Sequence, residues 1–230
     1  GNSTTVRTLT VSGNVTIAAT GTVNVANYTV THSLVVSGDI NNSGTFDLVY
    51  DSNSLCNTTL NGTGTQMISG DSASTTEFNN ITVTNNLTIN KTGAPVTQTG
   101  TLSVGGSLTI QSGTLNTANA ITVTGATVVN GTLTIASTTG SKTFADDVTI
   151  NSSGNWSETA AAAISYAGSL QNDGTYTAST GIHTFTGASK TFRGTISIPS
   201  VTISGTGSSY SNYGTMTVAT LLTIASPGTL

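Results

Sequence analysis

Charge is the scarcest property of this sequence. Of 230 residues only 14 carry a formal charge, nine acidic and five basic. The cations are scattered along the chain: Arg7, Lys91, Lys142, Lys190 and Arg193. A protein that binds nucleic acid neutralises phosphates with clustered Lys and Arg, so the sequence predicts no nucleic-acid partner.

Cysteine and long apolar runs are equally scarce. Cys56 is the only cysteine, which permits neither an internal disulfide nor a thiolate metal site, and we expect it to be a small buried hydrophobe. No run of about 18 apolar residues occurs, so no membrane span is predicted. Aromatic residues make up 5% of the chain, which fits a narrow core better than a broad one.

Uncharged polar residues dominate instead. Thr (50), Ser (29), Asn (21) and Gly (26) account for 126 of the 230 residues. Thr, Val and Ile favour strands, because a β-branched side chain suits a pleated surface and loses rotamer freedom in a helix. Frequent Val, Ile and Leu argue against disorder, so the composition predicts a folded, all-β protein.

A repeat lies within this composition. Apolar residues occur at offsets 0, 2, 6 and 8 from Leu9, Tyr28, Ile81, Leu102 and Met216. A Gly-Thr-apolar unit recurs nine times and is typical of a glycine turn that leads into a strand. Where copies adjoin, the spacing is about 20 residues, as between Leu102 and Ile121.

Short strands at this period predict a parallel β-solenoid with coils of about 20 residues. In triplets such as Val-Thr-Ile the outer residues would face the core and the central Thr the solvent. We expect one solenoid domain over residues 1–230, irregular around 151–180, where the run 159–163 breaks the alternation. That run would form an irregular coil, a layer of small residues or a short helix. The alternative architecture is a pair of antiparallel β-sandwich domains.

Three segments resemble the β-helical repeat arrays of large secreted microbial surface proteins, including adhesins and autotransporter passengers. These segments are residues 33–48, 58–90 and 102–115, with phrases such as Asn61-Gly-Thr-Gly-Thr-Gln-Met-Ile-Ser-Gly70. The resemblance implies an elongated structural or adhesive module that is secreted or at the cell surface.

No constellation of residues suggests catalysis. Only Asp146 and Asp147 of the nine acids are adjacent, so we expect the acids to be solvated turn residues and the chain not to be an enzyme. His32 and His183 lie in no metal-spaced motif, and we expect both at the surface or at corners, with no metal and no cofactor. Trp156 is expected to pack over an irregular coil, the alternative being an exposed platform for sugars.

Asn-X-Ser/Thr acceptor sites are frequent in the first two thirds of the chain. Besides Asn2 they comprise Asn14, Asn27, Asn41, Asn57, Asn61, Asn80, Asn86, Asn90, Asn130, Asn151 and Asn155. In one interpretation the pattern arises automatically, because Asn occupies corners and Thr begins strands. In the other the protein is N-glycosylated and sugars cover one flank of the rod.

These features predict an extracellular structural protein, a rigid rod that associates with itself end to end or laterally into a filament, stalk or sheath. From the sequence we expect both ends to lack the polar caps that stop strand addition. The alternative is an adhesin that binds glycans or surfaces. Ice binding, suggested by pairs such as Thr82/Thr84, Thr122/Thr124 and Thr132/Thr134, is less favoured than either, because coils of variable length would disturb the register of the threonines.

Overall fold

The computed structural model describes residues 5–26, 29–71, 75–205 and 207–225. These residues form a parallel β-solenoid of about ten turns, with about 21 residues per turn and no helix. All ladders between named strands are parallel. The predicted solenoid is therefore confirmed, and the β-sandwich alternative is excluded.

Each turn contributes short strands to three sheets, which we call A, B and C. Sheet A contains Thr8–Val11 (β1), Thr31–Val36 (β4), Leu55–Leu60 (β7), Ile81–Val83 (β10), Leu102–Val104 (β13), Ile121–Val123 (β16), Lys142–Phe144 (β19), Ile164–Tyr166 (β22) and Ile182–Phe185 (β25). Sheet B contains Val15–Ile17 (β2), Ile40–Asn42 (β5), Gln66–Gly70 (β8), Leu87–Lys91 (β11), Leu108–Ser112 (β14), Thr127–Val129 (β17), Val148–Ile150 (β20), Leu170–Asn172 (β23) and Tyr210–Asn212 (β27). Sheet C contains Thr22–Asn24 (β3), Thr45–Asp47 (β6), Thr76–Phe78 (β9), Val96–Gln98 (β12), Thr114–Thr117 (β15), Thr132–Ile135 (β18), Asn155–Glu158 (β21) and Thr175–Thr177 (β24).

Two longer strands complete the solenoid. Lys190–Ile203 (β26) pairs first with sheet B and then with sheet A, and Thr215–Ile224 (β28) pairs along β26. The register of the last ladder shifts between Ile198 and Ser200, where Pro199 has no backbone N–H to donate.

Variation in turn length does not disturb the ladders. Register partners in sheet A are separated by as many as 25 residues (Leu9 and Leu34) and as few as 18 (His183 and Val201). The extra residues lie at the corners between sheets, so the strands of successive turns stay aligned. Insertions at corners cost little free energy of folding, because a surface loop can lengthen without losing ladder hydrogen bonds.

Strict alternation builds the core. In β10 and β16 the outer residues of Ile-Thr-Val are buried, and the central Thr faces out. The interior is one continuous apolar column from Ile17 to Tyr210. Its rings are concentrated in the second half, where those of Phe144, Trp156 and Tyr166 pack with centroids 5.0–6.0 Å apart.

The segment 151–180 contains β21 to β24, each in ladder register with its neighbours. The run from Thr159 to Ala163 lies in the corner between sheets C and A, and Ala162 is buried there. The short helix considered for this run is not formed. Small side chains fit because the backbones of two turns meet closely: a Cβ on Gly181 would overlap the Ala162 carbonyl oxygen.

Candidate functional site

The outer face of sheet A carries a row of hydroxyl side chains, which we call the threonine row. Ladder register joins the central residue of each strand to that of the next. The row consists of Thr10, Val35, Thr59, Thr82, Ser103, Thr122, Thr143, Ser165, Thr184, Thr202 and Thr223. Ten of these eleven residues are Thr or Ser, and the run from Thr59 to Thr223 is unbroken. At about 4.8 Å per step the row is about 48 Å long.

A groove lies beside part of this row. It has a volume of about 220 Å³, and its lining includes Thr143, Ser165 and Thr184 of the row. Thr138 and Ser141, from the corner between β18 and β19, line it as well. The lining therefore combines hydroxyl side chains from the row and from a corner with the apolar side chain of Ala163.

The first and last strands of sheet A have exposed core positions. Leu222 of β28 is 41% exposed, whereas its ladder partner Val201 is 1% exposed. Leu9 of β1 is 62% exposed, whereas its partner Leu34 is 5% exposed. Within the described residues, these two strands pair along one edge only. Each of these strands therefore has the sequence of an interior turn and, among the described residues, a strand neighbour on one side.

A buried polar network lies inside the second half of the rod. The Glu158 carboxylate accepts hydrogen bonds from the Trp156 indole N–H (3.0 Å) and the Tyr176 hydroxyl (3.1 Å). It also accepts two from Ser179, from the backbone N–H (2.8 Å) and the hydroxyl (3.1 Å). The Nε2 atom of His183 lies 2.9 Å from its Oε1 and 3.0 Å from its Oε2. Neither the Glu158 nor the His183 side chain is exposed to solvent.

The donors and acceptors of this network indicate which of its atoms carry protons. The Nδ1 atom of His183 lies 3.0 Å from the Gly181 carbonyl oxygen, which can only accept, so Nδ1 carries a proton. Because a carboxylate that faces so many donors is an acceptor, Nε2 donates to Glu158 and the pair forms a buried ion pair. Burial, reinforced by the charge of Glu158, raises the pKa of Tyr166 well above its usual value.

The structure decides the expectations for Glu158, His183 and Trp156, and it corrects the first two. Glu158 is not a solvated turn residue, and His183 is at neither the surface nor a corner, because both lie on the inward parity of their strands. Trp156 is fully buried, which excludes the exposed sugar platform. His32 is half-buried in β4, and Cys56 is buried as expected; burial raises the pKa of its thiol to about 11.

Two lysines also point inward and stabilise corners. The Lys142 ammonium donates to the carbonyls of Thr139 (2.6 Å) and Gly140 (3.0 Å), and that of Lys91 to those of Thr92 and Ala94. Desolvation lowers the pKa of both lysines. Both ammonium groups therefore bind backbone carbonyls within the fold.

The glycosylation candidates surround the rod rather than a single flank of it, and glycosylation of these residues stays a prediction. They lie in corners of all three kinds and on strands; Asn27 lies outside the described residues. Most are engaged in ladders between turns: Oδ1 of Asn14, Asn57, Asn61, Asn80, Asn86, Asn90 and Asn130 accepts hydrogen bonds, and Asn151 donates to Asn130. Among the described residues, Asn41 and Asn155 have no side-chain hydrogen-bond partner, and Asn41 is exposed on sheet B. These contacts support the interpretation that corners select Asn.

In the part of the chain that the structure describes, no three His, Cys, Asp or Glu residues are grouped so that they could hold a metal ion. Nor do the described residues contain a helix long and apolar enough to cross a membrane. Comparison with protein-family models, curated proteins and solved structures finds no match. The chain is therefore a β-solenoid by its fold, and no relative identifies it as an adhesin or autotransporter passenger.

Proposed function

We propose that this chain is a rigid rod of an extracellular surface, and that copies of it stack end to end into a filament, stalk or sheath. The observation that supports the proposal is that, within the described residues, β1 and β28 each pair along one edge only, and each exposes a leucine, Leu9 or Leu222, at a position that is buried in the adjacent turn. A turn from a second copy would bury these side chains and pair the backbone groups of the outer edges. The extracellular location is supported by the resemblance to secreted repeat arrays.

The proposed contact has a defined register. Leu9 and Val11 of β1 have the same spacing as Leu222 and Ile224 of β28, and like residues align in most ladders of sheet A. Leu222 of one copy would thus align with Leu9 of the next. Thr223 would then lie opposite Thr10, with Cα atoms about 4.8 Å apart. That separation is within the range that a disulfide can bridge.

Cysteine crosslinking tests this contact. Under mild oxidation the double variant Thr10→Cys/Thr223→Cys should form a ladder of covalent multimers on a non-reducing gel, and micrographs should show rods longer than one copy. The matched control Thr10→Cys/Ser165→Cys places the second thiol on an interior strand, where no strand of another copy can pair. Multimers that form equally in the control, or particles that stay monomeric at high concentration, would overturn the proposal.

The second candidate function is that of an adhesin for glycans, and the groove beside sheet A favours it. Neutral sugars present hydroxyl groups that Thr143, Ser165 and Thr184 could bind. A glycan array should then show binding that Ser165→Lys removes, while Thr149→Lys on sheet B leaves it unchanged. An array on which the unmodified protein binds nothing would eliminate this candidate.

A further inference from the structure

We propose that the outer face of sheet A binds ice through the threonine row. From Thr59 to Thr223 the row repeats a hydroxyl group once per turn, at the spacing of the ladder, over about 38 Å. The expected obstacle to this function was variable turn length. The structure removes that obstacle, because the extra residues lie in corners and the row keeps its register. Of the three Thr pairs, Thr82/Thr84 and Thr122/Thr124 begin on this row, whereas Thr132/Thr134 lies on sheet C.

The row's hydroxyls are available to water. Within the described chain none of them takes part in a side-chain hydrogen bond, in contrast to Thr84 and Thr186, whose hydroxyls donate to carbonyls of the preceding turn. Threonine is stiff at χ1, so each threonine of the row presents a hydroxyl and a methyl group in a restricted orientation. A rigid lattice of this kind can order water at regular spacing, which is what the surface of an ice crystal requires.

The face is also free of charge. The positions two residues before and after the row carry only Thr, Ser, Asn, Ala or Gly, apart from Ile182 and Leu221. Charged groups hold their own hydration shells and would disturb an ordered water layer. An uncharged face of short side chains, without aromatic platforms, fits an uncharged periodic solid better than a soluble glycan.

The other two faces show that composition alone does not produce such a row. Outward ladder positions of sheet C include Asp47 and Glu77, and those of sheet B include Gln171 and Arg193. A chain rich in Thr and Ser would place hydroxyls equally on all three sheets if β-propensity were the only cause. The concentration on sheet A therefore indicates that this face has a role of its own.

The test is thermal hysteresis together with inhibition of ice recrystallisation. The unmodified protein should show both, and Thr122→Lys, at the middle of the row, should abolish them. The control Thr149→Lys replaces the central Thr of a Val-Thr-Ile triplet on sheet B and should leave both unchanged. Circular dichroism melting should be the same for the two variants, and Ser103→Lys serves as a second row variant if Thr122→Lys does not fold.

Three results would overturn the proposal. One is an unmodified protein with neither hysteresis nor inhibition, and another is equal loss in Thr122→Lys and Thr149→Lys. The third is binding to insoluble neutral polysaccharide, sensitive to Thr122→Lys, without any effect on ice; that outcome would assign the face to an adhesin. End-to-end stacking involves β1 and β28 and is measured by crosslinking, so either proposal can fail without the other.

Discussion

Removal of the Glu158 carboxylate should destabilise the second half of the rod more than any change at the surface. In Glu158→Ala the Trp156 indole N–H and the His183 Nε2 lose their acceptor while they remain buried. A buried donor without a partner costs about 1–3 kcal/mol, and loss of one member of a buried ion pair costs about 3–5 kcal/mol. We therefore expect the free energy of unfolding to fall by about 4 kcal/mol.

Urea unfolding followed by tryptophan fluorescence is the suitable assay. Trp156 is the only tryptophan, and its indole donates to Glu158, so the signal reports the turns that carry the substitution. This matters because solenoid turns are stabilised mainly by their nearest neighbours. Glu158→Gln keeps the shape but replaces one acceptor oxygen with a donor, and we expect an intermediate loss of about 2 kcal/mol.

Glu77 provides the matched control. Its side chain points outward from sheet C and is half-buried, and burial together with the neighbouring Asp47 raises its pKa. Glu77→Ala should change the free energy of unfolding by less than about 0.5 kcal/mol. The reasoning would be refuted by a loss below about 1 kcal/mol in Glu158→Ala, or by an equal loss in the control.

Three further outcomes are expected. Gly113→Ala should lower the free energy of unfolding by about 3 kcal/mol or more. The reason is that Gly113 has a φ of +73°, and a Cβ there would overlap the backbone of the preceding turn. Gly13→Ala should be tolerated, so equal chemical denaturation curves for the two variants would contradict the prediction. Burial raises the pKa of Tyr210 from 10.0 to about 12, so the unfolded chain ionises first and stability should fall as pH rises from about 10 to about 12. In thermal melts over this pH range, Tyr210→Phe should lose less stability with rising pH than the unmodified protein. An unchanged dependence of stability on pH would count against the role of Tyr210. Cys56, with its raised pKa and its burial, should react with a disulfide reagent near pH 8 only after unfolding, and rapid labelling of the native protein would show that the thiol is accessible.

The buried network could have been anticipated from alternation. Trp156 and Glu158 share one parity in β21, and His183 shares the parity of Phe185 in β25. Because parity in a strand decides the face, the pattern already pointed both side chains inward. Ionisable side chains generally lie at the surface, and the prediction for Glu158 and His183 followed that tendency. It was wrong here because their donors and acceptors pair with each other inside the core.

The threonine row, in contrast, could not be predicted from the local sequence. Triplets with a central Thr occur on all three sheets, and nothing local distinguishes Ile121-Thr-Val123 of sheet A from Val148-Thr-Ile150 of sheet B. Register partners are as few as 18 residues apart (His183 and Val201) and as many as 30 (Phe46 and Thr76), and this variation hides which triplets belong to the same ladder. Their alignment is a property of hydrogen bonds between residues about 21 positions apart.

By itself the sequence determined the all-β class, the parallel winding and the inward or outward direction of each strand residue, because β-branched alternation and glycine corners are local effects that repeat along the chain. Only the tertiary structure decided which turns align, which outward residues form one face, and which polar side chains meet inside the core. Those outcomes depend on how many residues each corner takes up before the next strand joins its ladder, and corner loops can vary in length at little cost in free energy.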